Sequence, residues 1–131
     1  MTTNFDIYNA SAGSGKTFTL TSRVLTSIVK SKEDDSFKNI LALTFTNKAA
    51  DEMKNRILAG LKEFTDLKNT KNPSDLFRKV QEETGFSSEK ICNISKNRLS
   101  VLLHNFSFFQ VSTLDSFNHN VIRAFSKELN L

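Results

Sequence analysis

Eight residues near the start of the chain, Ala10-Ser11-Ala12-Gly13-Ser14-Gly15-Lys16-Thr17, set small side chains before a lysine and a hydroxyl. The spacing is G-x-x-x-x-G-K-[ST], with alanine in the first glycine place. A loop that wraps a phosphate must turn its backbone N–H groups inward, and Gly13 and Gly15 reach backbone angles that a Cβ resists. Lys16 puts a point charge where β- and γ-phosphates would lie, and Thr17 offers a hydroxyl to Mg²⁺. A helix that starts here turns its positive end toward the same anion. The residue types therefore point to a nucleoside triphosphate with Mg²⁺, held by Ala12, Gly13, Ser14, Gly15, Lys16 and Thr17. The bland alternative is a glycine turn that merely caps a helix; a strand before it and a helix after it weigh against that.

Hydrolysis by such a loop needs further groups: a strand-end carboxylate to hold the metal, a residue to orient water, and a cation for the transition state. The one Asp-Glu pair, Asp51-Glu52, falls inside a helical stretch and reads as surface carboxylates. Asp115 can be argued as a strand-end carboxylate, yet Ser112 and Thr113 before it suit a helix N-terminus and make it an acid in the first turn. His104 and His119 are too far apart to form a metal pair on one helix and read as surface or capping groups. The single cysteine, Cys92, has no second thiol for a disulfide or a zinc site and reads as packing.

The elements that must position the loop follow from hydropathy patterning. Three short apolar runs read as strands of a parallel sheet: Phe5 to Tyr8, Ile40 to Phe45, and Phe108 to Val111. A helix is expected from about Lys16 to Lys30, with Leu20, Val24, Leu25 and Ile28 on one face. A second starts near Lys48 and carries Ala50, Met53, Ile57, Leu61 and Phe64 at steps of three and four. After the polar stretch from Asp66, Asn72 and Pro73 suit an N-cap and first helical position, followed by Leu76, Phe77 and Val80. Beyond Gly85, a helix from about Ser88 shows Ile91, Ile94, Leu99, Leu102, Leu103 and Phe106, so a helical insert is expected over about 66–106. The last helix runs from about Leu114 with Phe117, Val121, Phe125 and Leu129 in step. Strands alternating with helices give an α/β layered domain.

Composition sets the outer bounds. The 131 residues, 38% hydrophobic and 24% charged, suit one compact domain, and there is no apolar run long enough for a membrane span and no signal-peptide layout at the start. The expected location is the cytoplasm. The net charge of +4 is spread evenly, 9 Lys+Arg against 7 Asp+Glu in residues 1–65 and again in 66–131, so no basic tail or stripe marks a polyanion partner. Most of the 12 phenylalanines, Phe106, Phe108 and Phe109 included, are expected in the core.

Three segments together resemble a family. The stretch 10–17 resembles motif I of the UvrD/Rep-type superfamily 1 helicases, and its Ala-Ser-Ala-Gly-Ser-Gly-Lys-Thr is most similar to the RecB/AddA helicase-nuclease branch. Residues 43–53, Leu43-Thr44-Phe45-Thr46-Asn47-Lys48-Ala49-Ala50-Asp51-Glu52-Met53, resemble motif Ia, with the DNA-path segment over 44–53. Residues 111–117, Val-Ser-Thr-Leu-Asp-Ser-Phe, resemble the third segment, usually Thr-x-His-x-Phe, with Asp115 where histidine is typical. The resemblance implies a P-loop NTPase fold of RecA type, with a three-stranded parallel core and a helical insert, forming the N-terminal part of a first motor domain over 1–131. It implies ATP and Mg²⁺ as cofactors and single-stranded DNA as partner, with Phe45, Thr46 and Asn47 lining the strand's path and Thr113 and Phe117 near it. An aromatic at a strand mouth can stack any base, and the hydroxyl and amide beside it can bond phosphate oxygens.

The motif II Asp-Glu pair, the second motor domain and any nuclease domain are missing, as is the glutamine stretch that precedes motif I in UvrD-like enzymes. The sequence thus reads as a piece of a longer helicase, its partner the remainder of that chain, and it is expected to hydrolyse ATP poorly alone. Two other readings stay open on the residues: a stand-alone P-loop kinase with Asp115 as metal ligand or base, which predicts turnover without DNA, and a binding module whose phenylalanines meet a protein partner, in which Lys16 is dispensable.

Overall fold

The computed structural model describes residues 14–130, with side chains from Thr17 onward. The expected first strand, Phe5 to Tyr8, and Ala12 and Gly13 of the loop lie outside the described residues. Helix α1, Ser14–Lys30, leads by a short 3-10 turn, Ser36–Asn39, into strand β1, Leu41–Thr44. Helix α2, Asn47–Thr65, follows, then α3, Asp75–Thr84, α4, Ser88–His104, β2, Gln110–Thr113, and α5, Leu114–Glu128. The two strands pair in parallel, Leu41 opposite Gln110 through Thr44 opposite Thr113. The described residues are thus largely helical around a small parallel sheet.

The helical periods land where burial requires them. Val24, Leu25 and Ile28 of α1 are buried and Leu20 packs partly against the core, while Ala50, Met53, Ile57, Leu61 and Phe64 of α2 are all buried. Phe77 and Val80 of α3 and Ile91 and Leu102 of α4 join the same cluster, so the stretch expected as an insert shares one core with the sheet's helices. Edge-to-face ring pairs tie it together, Phe64 with Phe77 at 5.6 Å and Phe37 with Phe109 at 6.4 Å between centroids. Gly60 permits the closest approach: a Cβ there would meet Leu25 Cδ1 at 2.7 Å and Leu76 Cδ2 at 3.1 Å. Cys92 is buried, its thiol donating to the Thr65 carbonyl at 3.3 Å.

Four expectations need correction. The α3 N-cap is Ser74, not Asn72. Its N–H and hydroxyl both donate to the Glu63 carboxylate, at 3.0 and 2.9 Å, and its Oγ accepts from the Phe77 N–H at 3.2 Å. This bridge from α2 fixes where α3 begins, a long-range cause that local capping preference does not contain. The last strand lies two residues later than Phe108 to Val111, because Phe106–Phe108 closes a 3-10 turn, with the Phe108 and Phe109 N–H groups donating to Asn105 and Phe106 at 3.0 Å each. A two-residue shift keeps the period-2 facing, so Phe109, Val111 and Thr113 point inward.

That turn also lifts two phenylalanines out of the core: Phe106 is 41% and Phe108 53% exposed, beside exposed Leu103, and only Phe109 of that trio is buried. The ammonium groups of Lys54 and Lys38 stand 5.9 and 5.0 Å from the Phe106 and Phe108 ring centroids. Finally, α5 starts at Leu114 as expected, but Val121, Phe125 and Leu129 are exposed and Phe117 is half-buried. No described element covers that stripe, so its period does not translate into burial.

Candidate nucleotide and nucleic-acid site

Ser14 to Thr17, which the sequence pattern assigns to a phosphate loop, form the first turn of α1, which begins two residues before the expected Lys16. No acidic residue occupies that turn, so no carboxylate of the helix's own first turn offsets its positive end. Thr17 is half-buried. A first turn free of acids, with a lysine and a threonine in it, fits a triphosphate and its Mg²⁺. The far end of α1 is clamped by Arg98 of α4, which is 6% exposed. Its Nε donates to the Ile28 carbonyl at 3.2 Å and Nη2 to the Ser31 carbonyl at 2.7 Å, while Nη1 binds Asn97 Oδ1 at 2.9 Å and pairs with Asp34. A cation bonded to the last carbonyls of a helix opposes the negative end of its dipole. The sequence reading missed this arginine, since its partners lie some 70 residues earlier in the chain.

The second group of residues gathers where the strands end. Thr44 and Thr113 are opposite each other, and each strand runs directly into a helix capped by a threonine. Thr46 Oγ1 accepts from the Ala49 N–H at 3.0 Å, and Thr113 Oγ1 accepts from the Ser116 N–H at 3.1 Å. Both N-caps suit Thr, whose oxygen replaces the missing intrahelical acceptor. The Thr44 hydroxyl donates to the Thr46 carbonyl at 3.1 Å and holds the turn between β1 and α2. In open α/β sheets ligands sit at the carboxyl ends of parallel strands, which is this end.

Within that turn Phe45 is 70% exposed, and Thr46 and Asn47 beside it are exposed as well. An aromatic residue at a strand end that is turned outward to this degree is not core packing. Thr113 behaves differently: it is buried, and its hydroxyl donates to Ser116 Oγ at 2.9 Å. Its role is to hold the start of α5, which sets the places of Asp115 and half-buried Phe117. Asp115 is exposed in the first turn of α5. Asp51 and Glu52 lie exposed on α2, and His104 and His119 are exposed on different helices. Among the described residues no three His, Cys, Asp or Glu side chains gather as a metal site, and no helix is long and apolar enough to cross a membrane.

Comparison with known proteins decides the family. The chain matches the UvrD/REP helicase N-terminal domain over residues 4–131. It belongs to that family. Among curated relatives, an ATP-dependent helicase/nuclease subunit of Lactococcus lactis subsp. cremoris is 30% identical over 125 residues, covering 95% of this chain and 8% of that protein. The corresponding subunit of Exiguobacterium sibiricum is 34% identical over 100 residues, 76% of this chain and 8% of that protein. The RecBCD enzyme subunit RecB of Chlamydia trachomatis is 50% identical over 58 residues, 44% of this chain and 6% of that protein. The chain therefore spans less than a tenth of the length of these relatives, which are of the RecB/AddA branch that the motif I residues resemble. No solved structure matches the chain.

Proposed function

We propose that this chain is the N-terminal part of the first motor domain of an ATP-dependent DNA helicase or helicase-nuclease that moves along single-stranded DNA in repair or recombination. Residues 10–17 form its nucleotide loop: Ala12, Gly13, Ser14 and Gly15 supply backbone N–H groups to the phosphates, Lys16 supplies charge, and the Thr17 hydroxyl is a ligand of Mg²⁺. Phe5 to Tyr8 is the further strand of the parallel core. Phe45 stacks a base, Thr46 and Asn47 bond the backbone of the strand, and Phe117 lies near it. Thr113 holds α5 in place for that path. The working enzyme needs the remainder of the chain, because the described residues offer no strand-end carboxylate pair.

The observation that carries this reading is Phe45, exposed in the turn after β1 in a chain of this helicase family. The test of the nucleotide half is Mg·ATP affinity of the full-length protein carrying Lys16→Ala. Loss of a charge-assisted contact should weaken binding about tenfold or more. Unchanged affinity would remove the phosphate-loop assignment.

A further inference from the structure

Helix α5 carries Leu114, Phe117, Val121, Phe125 and Leu129 within about 120° of one face, with Ile122 at the edge of that stripe. Phe117 is half-buried; the others are 41 to 63% exposed, and none belongs to the core cluster. The opposite face holds His119, Arg123 and Lys127. A helix this amphipathic draws most of its stability from whatever packs on its apolar side, and the described residues supply nothing there.

Charge and area choose among the occupants. The charges that border the stripe are the acids Asp115 and Glu128, while Arg123 and Lys127 lie on the far side, so a nucleic-acid backbone is repelled there and an apolar protein surface is not. A second copy paired along α5 alone makes too small a contact. The 15 residues give a helix about 22 Å long, and a strip one helix wide buries on the order of 500 Å², well under the roughly 1,200 Å² of a stable interface. A segment of the same polypeptide needs no such area, because the chain connection replaces most of the cost of association. The relatives described above hold more than nine-tenths of their length outside the matched part. Resting on the reading of the chain as part of a longer motor protein, we propose that the apolar stripe of α5 is the surface on which the remainder of that protein docks, through an apolar segment of the same polypeptide.

The experiment is thiol labelling of cysteine reporters on the two faces of α5, in the 131-residue chain and in the full-length protein. Native Cys92 is buried and sets the slow background. Phe125→Cys should label about tenfold or more slowly in the full-length protein than in the 131-residue chain, while Arg123→Cys should label alike in both. Equal rates for Phe125→Cys in the two lengths, or the same slowing at both faces, would overturn the proposal. So would slow labelling of Phe125→Cys in the 131-residue chain. Slowing that grows with protein concentration puts a second copy on the stripe, and slowing that does not puts other residues of this chain there. Lys16→Ala separates the proposal from the reading on which it rests. If that variant weakens Mg·ATP binding while the stripe labels freely in the full-length protein, only the docking surface fails. If ATP affinity ignores Lys16 while Phe125→Cys is protected, the nucleotide reading fails and the docking surface stands.

Discussion

Nη2 of Arg98 donates to the Ser31 carbonyl at 2.7 Å, so a buried arginine of α4 closes the end of the helix whose first turn carries Lys16 and Thr17. The same guanidinium reaches Ile28 and Asp34, and one side chain thereby joins α1, the turn after it and α4.

Removing that side chain should be costly in a way that removing its acidic partner is not. Arg98→Met leaves the Ile28 and Ser31 carbonyls without their buried donor and should cost about 2 to 4 kcal/mol in urea unfolding. The Asp34 side chain is 60% exposed, so Asp34→Ala should cost less than about 1 kcal/mol. Equal losses in the two variants would mean that the ion pair, and not the carbonyl clamp, holds the end of α1.

Ser95 offers a change in the opposite direction. Its side chain is fully buried on α4, and its Oγ has no hydrogen-bond partner among the described residues. Ser95→Ala removes the unsatisfied hydroxyl and raises helix propensity, and should stabilise the fold by about 1 kcal/mol. A lowered melting temperature would show that the hydroxyl has a partner in solution.

Gly85 ends α3 in the left-handed region at φ 71°, its N–H donating to the Gln81 carbonyl at 2.8 Å. Open space surrounds the place of a Cβ, so the cost of Gly85→Ala is conformational only, about 1 kcal/mol. Gly85→Asn, which tolerates this region better, should lose less; the order reversed would place the cause elsewhere.

Much of this was legible in the sequence because it is local. The α2 face from Ala50 to Phe64 follows from a 3.6-residue period, and Thr113 and Leu114 were readable as the start of α5 from cap chemistry alone. What sequence could not hold was long-range. Glu63 moves the cap of α3 to Ser74, and Arg98 finds its acceptors on α1; neither partner is within hydrogen-bonding reach by any local rule. Phe106 and Phe108 read as core because phenylalanine usually is, and a single 3-10 turn was enough to turn both toward solvent. At the candidate site, Phe45 could be core or contact on strand position alone, and its exposure removes the core reading. The nucleotide loop was read from residue types, and Ser14 to Thr17 do open a helix.

The central claim is that this end of the sheet receives a single strand of DNA, and the most direct measurement is the affinity of the 131-residue chain for a single-stranded oligonucleotide with and without Phe45→Ala. Loss of a stacked base should cost about 1 to 3 kcal/mol of binding with the melting temperature unchanged, because the ring is already exposed. A variant that binds as tightly as the native chain, or that loses thermal stability instead of affinity, would contradict the account.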